Sequence, residues 1–255
     1  MNEFLIKSNL KKEYLNIKTV TVKETTSTND ELKKLALSGE KGTVLYVADR
    51  QTAGKGRKGR SFFSPENTGI YMSLLIHPDL SAEECTLVTP LCAVAVAEAI
   101  ENTTAVKADI KWVNDIYVKG KKVAGILTEG AFSQKGADYI VMGIGINLCV
   151  PEEGFPEEIR DIAGALTDKS DFLREKLTAE VVNSFMYHLS RIKSRDFIPL
   201  YKDRLFFLGK EITVISPDGS YKAIAENIDE MCRLKIKTAD GEVKILGSGE
   251  ISVRI

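Results

Sequence analysis

Residues 54–61 read Gly-Lys-Gly-Arg-Lys-Gly-Arg-Ser, so Lys55, Arg57, Lys58 and Arg60 crowd four positive charges into six residues among Gly54, Gly56 and Gly59. Glycine removes the Cβ that keeps a backbone at a distance, and the charges suit a phosphate or a carboxylate. The segment spells Gly-x-Gly-x-x-Gly, with Asp79 twenty residues beyond Gly59, and nearly spells a Walker A loop with Arg60 in place of lysine. Both motifs work through a helix that starts at once and turns its N-terminus to the phosphates. Here Ser-Phe-Phe-Ser-Pro-Glu-Asn-Thr-Gly follows, which is no helix, so neither a dinucleotide fold nor a P-loop is expected. A solvated basic loop is the alternative; the glycine density favours an anion site.

Other chemistry-bearing residues are scattered. Short polar side chains adjoin at Ser27, Thr28 and Asn29, and amides stand at Gln51, Asn114 and Asn147. An asparagine between Ile146 and Leu148 is an odd choice for a bland strand. Lys-Gly-Lys-Lys at 119–122 offers Lys119, Lys121 and Lys122, and nothing in the spacing chooses among them. Cys85, Cys92, Cys149 and Cys232 form no CxxC pair and have only His77 and His188 for company, so buried free thiols are expected rather than a metal site.

These residues need elements to hold them. A strand is expected at 20–23, then a helix over 28–38 with Thr28 and Glu31 as a capping box and Gly39 as its stop. A strand at 43–48 feeds the basic loop, and another follows at 70–76. A helix is expected over 81–100, capped by Ser81 and Glu84, with Pro90 marking a kink or break. Strand-like runs at 109–112, 115–118 and 123–129 come close together, the last two joined by the Lys-Gly-Lys-Lys turn, and a longer strand covers 138–148. Leu173, Leu177, Val181, Phe185 and Leu189 mark an amphipathic helix over 173–192. After Gly209 short strands alternate with tight turns at Pro-Asp-Gly and Ala-Asp-Gly. The chain therefore reads as α+β. A mixed sheet with helices packed on one face is expected over residues 1–208, and a small β-barrel over residues 209–255.

Composition bounds the function. At 44% hydrophobic and 28% charged residues, a 255-residue chain folds as an ordinary globule, and a net charge of −1 provides no global field for nucleic acid or a membrane surface. Neither is expected as a partner. The longest apolar run, 91–97, is far too short to span a bilayer, and the first residues show no signal peptide, so a cytoplasmic setting is expected.

Ser-Thr-Asn at 27–29, QTAGKGRKGRSFFSP at 51–65, KWVNDIYVKGKKVAGILTE at 111–129, GIGINL at 143–148 and the closing GEISVRI resemble biotin protein ligases. They fall in the family's order and at suitable intervals, over nearly the whole chain. The resemblance implies a class II synthetase-like catalytic domain with an SH3-like C-terminal barrel. It implies a reaction in which ATP activates biotin as biotinyl-5′-AMP, and a lysine of a biotin carboxyl carrier protein then takes the biotinyl group. Mg²⁺ on the phosphates is implied too, with Asp115 to help hold it, although an aspartate in a hairpin is the commoner reading of that residue. Carried over by position, Lys122 and Arg57 are the catalytic residues. Ser27, Thr28, Asn29, Gln51, Lys55 and Gly56 join them around biotin. Arg60, Phe62, Asn114 and Asn147 serve ATP and the adenylate, together with Arg57. Ser27 and Thr28 are equally natural helix caps, and Phe63 competes with Phe62.

Three positions depart from the family pattern: Lys55 stands for arginine, Val113 for the proline of Lys-Trp-Pro-Asn-Asp, and Phe62 for tryptophan. A lipoate protein ligase, which shares the fold and the adenylate chemistry, is the alternative; the basic loop and the motif order favour biotin. Only about 20 residues precede the first matched strand, too few for a helix-turn-helix, so the type without a DNA-binding domain is expected. Monomer and homodimer both stay open.

Overall fold

Every residue of the strand Gly69–Ile76 is buried, the mark of a strand covered on both faces. The computed structural model describes residues 1–133, 136–167, 173–216, 219–247 and the backbone of 252–254. Pro217 and Asp218 of one expected turn, and much of the closing GEISVRI motif, lie outside the described residues.

The chain opens with α1 (Glu3–Asn9), β1 (Lys18–Thr25), α2 (Thr28–Leu37), β2 (Val44–Gln51) and β3 (Gly69–Ile76). Next come α3 (Ala82–Cys85), α4 (Val88–Thr104), β4 (Asp109–Lys111), β5 (Asp115–Val118), β6 (Lys121–Ser133) and β7 (Gly136–Asn147). Helices α5 (Glu157–Arg160), α6 (Arg174–Ser190) and α7 (Phe197–Asp203) precede β8 (Glu211–Ser216), β9 (Gly219–Ile228), β10 (Leu234–Thr238), β11 (Val243–Leu246) and β12 (Ser252–Arg254). The first seven strands form one sheet in the order β1-β2-β3-β7-β6-β5-β4, and the last five a second sheet in the order β11-β10-β9-β8-β12. All neighbours are antiparallel except β1 and β2, which α2 links as a parallel pair. This is an α+β fold: a mixed sheet with packed helices, and a small antiparallel module at the C-terminus.

Three local expectations change. Helix α2 has no capping box. Ser27 is its N-cap residue without a side-chain bond, the Thr28 hydroxyl turns to Gln51 and Ser73, and Glu31 holds Lys34. The expected helix over 81–100 is two. Ser81 and Glu84 do form a capping box on α3, but the break falls before Pro90, which sits in the first turn of α4, where a missing N–H breaks no helical bond. The helices also occupy both faces of the large sheet. Helices α4 and α6 pack with α1 and α7 over one face. On the other, Leu32 and Ala36 of α2 meet Val44, Leu75 and Val141, while the adjacent Leu45, Leu74 and Met142 point into the main core. Helix α2 is short, so it covers only part of its face.

All four cysteines are free, with Cys85, Cys92 and Cys232 buried and Cys149 partly so. Among the described residues no helix is long and apolar enough to cross a membrane.

The second sheet continues the main core. Ile212, Val214, Ala225, Leu234 and Ile236 belong to the same buried cluster as α4 and α6. Trp112 Nε1 donates to the Cys232 carbonyl at 2.9 Å. Ending the chain at Leu208 is therefore expected to lower the thermal midpoint by at least about 5 °C, because even about 2 kcal/mol of lost burial moves a chain of this size that far. Calorimetry of the truncated protein measures it, and an unchanged midpoint would mean that the two sheets fold independently.

Candidate active site

On the face that α2 only partly covers, paired residues of β3, β7 and β6 form successive rungs. Leu75, Val141 and Glu129 make the first, Ser73, Gly143 and Leu127 the second, and Tyr71, Gly145 and Gly125 the third. Rungs on one face of a sheet recur every two residues, about 7 Å apart. The first supports α2. In the next two, Gly143, Gly145 and Gly125 contribute no side chain, and a cavity of about 760 Å³ opens above them. Glycine inside a strand often marks the close approach of another group. Here a Cβ at Gly143 would fall on the Asn29 side chain, 2.9 Å from its Cγ, and one at Gly145 would fall on the Phe62 ring.

The start of α2 closes one end of the cavity with Ser27, Thr28 and Asn29, all buried. Gln51, at the end of β2, accepts from the Thr28 backbone at 2.9 Å and donates to Ser64 Oγ at 3.1 Å. Thr28 Oγ1 lies 2.7 Å from Ser73 Oγ, and Asn29 reaches Ser73 and Glu129. The side chains of Ser27, Thr28, Asn29 and Gln51 are uncharged and dense in hydrogen-bonding groups.

The basic loop folds back as a small hairpin over the same cavity. Phe62 N donates to the Gly54 carbonyl at 2.8 Å and Gly56 N to the Arg60 carbonyl at 2.7 Å. Gly54 has no room for a side chain, since a Cβ would lie 2.5 Å from the Phe62 carbonyl oxygen. Lys55, Gly56, Arg57, Arg60 and Phe62 all line the cavity. Lys55 also pairs with Asp30 of α2 at 2.6 Å, which ties the loop to the helix. Burial disfavours the Asp30 carboxylate, but hydrogen bonds from Lys55 and Lys33 outweigh it and hold its carboxyl below the ordinary value. An exposed pair of this kind contributes about 0–1 kcal/mol, too little to fix a loop. Trypsin is therefore expected to cut after Arg57 in the ligand-free protein, faster in Asp30→Asn, and biotin with ATP should suppress the cut. Equal cutting with and without ligands would refute an anion-ordered loop.

The opposite end is cationic. Arg57 Nη1 donates to Asn114 Oδ1 at 3.1 Å, and Asn114 Nδ2 to the Ile126 carbonyl at 2.7 Å. Burial pushes the Arg57 guanidinium below its ordinary value, with Asp115 acting in the opposite sense; an arginine stays charged all the same. Asn147 lines the cavity and donates to the Gly164 carbonyl at 3.1 Å.

A β-bulge selects the lysine. Ile116 pairs with Ala124 but Tyr117 with Lys122, which leaves Val123 as the extra residue. Residues three apart on a regular strand point to opposite faces; the bulge brings Lys122 onto the face of Gly125. A Cβ at Gly125 would lie 3.3 Å from Lys122 Nζ. Lys121 turns away and donates to the Asp161 carbonyl at 2.6 Å, and only Lys122 of the three lysines lines the cavity. Lys122 Nζ pairs with Asp115 Oδ1 at 2.7 Å. That pairing engages the one carboxylate the sequence offered for a metal. Among the described residues no three His, Cys, Asp or Glu side chains converge as a metal site.

Every site residue that the family resemblance implied thus lines one cavity, and Phe63 lines it as well as Phe62. Sequence reasoning missed the floor glycines Gly125, Gly143 and Gly145, and the supporting Ser73, Glu129 and Asp30. Glycines inside apolar strands were the available signal for the first three.

Residues 21–147 match the Biotin/lipoate A/B protein ligase family, and residues 207–254 the Biotin protein ligase C terminal domain. A Bacillus spizizenii protein, Bifunctional ligase/repressor BirA, is 32% identical over 250 residues, covering 96% of this chain and 77% of that protein. The Biotin--[acetyl-CoA-carboxylase] ligase of Mycobacterium tuberculosis is 29% identical over 243 residues, or 90% of this chain and 86% of that one. Biotin protein ligase from Aquifex aeolicus, solved in complex with biotin and ATP, has a TM-score of 0.78 at 31% identity, covering 93% of this chain and 98% of that chain. With both of its sheets matched and a cavity that gathers the family's motifs, this chain belongs to the biotin/lipoate A/B protein ligase family, as a biotin protein ligase.

Proposed function

We infer that the protein is an ATP-dependent ligase that activates biotin as biotinyl-5′-AMP and transfers the biotinyl group to a lysine of a biotin carboxyl carrier protein. The observation that carries the reading is the two-ended cavity. A neutral, hydrogen-bonding end at Thr28 and Asn29 faces a cationic end at Lys122 and Arg57, across two rungs of glycine floor. Biotin has the matching form: a polar, uncharged ring at one end and a carboxylate at the other.

In the first step a carboxylate oxygen attacks the α-phosphorus of ATP, the bond to the bridging oxygen breaks and pyrophosphate leaves. Two anions must meet, so the protein's task is positive charge and orientation rather than a nucleophile. Lys122 and Arg57 supply the charge. Asn114 fixes Arg57, and Asp115 fixes Lys122, each from one side. Phe62, Arg60 and Asn147 stand on the nucleotide side. Mg²⁺ arrives with ATP as part of that substrate, held by its phosphates. In the second step the neutral amine of the acceptor lysine attacks the acyl carbon, AMP leaves and the amine loses a proton. ATP chemistry and four free thiols suit a cytoplasmic setting.

Pyrophosphate release on adding biotin and ATP, repeated with lipoate, tests the reading, followed by transfer of labelled biotin to an acceptor carrier domain. Release with biotin and not with lipoate is expected; turnover of lipoate alone would overturn it.

A further inference from the structure

The Asn29 amide is held from both ends. Its Nδ2 donates to Glu129 Oε2 at 2.8 Å, with a longer contact to the Leu127 carbonyl at 3.4 Å, and its Oδ1 accepts from Ser73 Oγ at 2.6 Å. Lys33 Nζ holds the other oxygen of Glu129 at 2.8 Å. Ser73 is fully buried, and neither Ser73 nor Glu129 lines the cavity.

Counting protons fixes the direction of every bond in this group. A carboxylate accepts only, so Glu129 obliges Asn29 to turn its NH₂ that way. The Asn29 oxygen then faces Ser73 and takes that hydroxyl's single proton. Ser73 has none left for Thr28, and an oxygen pair 2.7 Å apart needs a proton between them, so Thr28 donates to Ser73. Gln51 Oε1, 3.1 Å from Thr28 Oγ1, is left with the Thr28 backbone N–H as its donor. What Thr28 and Asn29 have to offer a ligand is lone pairs: Oγ1 and Oδ1 remain as acceptors, with no hydroxyl or amide proton spare between them.

We propose that Glu129, from behind the cavity wall, sets this end of the site as an acceptor surface and thereby selects a ligand head that carries N–H donors. The proposal rests on the ligase reading above and names its basis of choice: the cyclic urea of biotin brings two N–H groups, whereas a dithiolane ring brings none. Glu129 is a positioning residue, acting through Asn29 and Ser73. Each acceptor left without a donor on ligand binding weakens binding by roughly tenfold to a hundredfold.

Glu129→Gln tests this without changing shape. Lys33 has donors only, so it claims the new amide's oxygen and leaves the NH₂ facing Asn29. Asn29 must then reverse and Ser73 with it, so Asn29 turns an N–H against the urea N–H groups, while Thr28, now accepting from Ser73, has Gln51 Oε1 3.1 Å away for its own proton. Titration calorimetry should show biotin affinity at least roughly tenfold weaker. The KM for biotin should rise in step, while kcat and the KM for ATP change less than about threefold. Adding Lys33→Met frees the new amide to turn its oxygen to Asn29, so the double variant should regain most of the affinity. Unchanged biotin affinity in Glu129→Gln, or a loss that Lys33→Met does not relieve, overturns the proposal alone. Wild-type protein that fails to bind biotin overturns the ligase reading and the proposal together.

Discussion

Lys122→Ala is expected to slow biotin-dependent pyrophosphate release by about a hundred- to thousandfold at saturating biotin and ATP, with the fold intact. Removing one preorganised charged contact from a transition state typically costs about 3–4 kcal/mol. Lys122 is the second residue of β6 and is partly exposed, and its pair with Asp115 belongs to a class worth about 0–1 kcal/mol, so stability should barely move. The substitution has a second effect on rate. It leaves Asp115 unpaired in a cavity that must take two anions, so a carboxylate that served Lys122 now repels the substrates. Lys122→Ala combined with Asp115→Asn should therefore be less impaired than the sum of the two single changes. Lys122→Arg should restore only part of the rate, because a planar fork does not reproduce a compact point charge above Gly125. Lys119→Ala and Lys121→Ala leave the cavity lining untouched and serve as controls. Wild-type turnover in Lys122→Ala, or a dead Lys121→Ala, would refute the assignment.

How far the sequence spoke depends on whether the information was local. Strand and helix positions were legible because period-two and period-four alternation and turn chemistry are carried by neighbouring residues. The candidate site residues were legible through the family's motifs. Lys122 was not separable from Lys121 by spacing, since the choice rests on the bulge at Val123, a feature of pairing between β5 and β6. Thr28 looked like half of a capping box because Glu31 stands three residues on. Its hydroxyl instead turns to Gln51 and Ser73, 23 and 45 residues away, which no local pattern reveals. The helices were expected on one face because nothing local tells which side of a sheet a crossover helix covers. That misplacement matters most, since the face that α2 only partly covers is the one that holds the cavity.

Gly143→Ala is expected to raise the KM for biotin by roughly tenfold to a hundredfold while leaving the KM for ATP near wild type. Gly143 lies on β7, between β3 and β6, and its missing side chain makes room for the Asn29 amide. That amide cannot step aside freely, because Ser73 holds one end and Glu129 the other. A new methyl group therefore either strains the contact, at about 1–3 kcal/mol, or turns Asn29 out of its bonds at a similar cost. Folding suffers less than binding, because alanine is better than glycine inside a strand by about 0.5–1 kcal/mol and offsets part of the strain. Gly145→Ala, one rung along, gives the complementary case. Its Cβ would meet the Phe62 ring, which sits on the loop and can swing away, so the change should fall on the KM for ATP and spare that for biotin. Steady-state kinetics of the two variants against both substrates, with thermal midpoints alongside, separates the ends of the cavity. If Gly143→Ala keeps its biotin KM, or if both variants shift both constants alike, the division of the glycine floor into a biotin rung and a nucleotide rung is wrong.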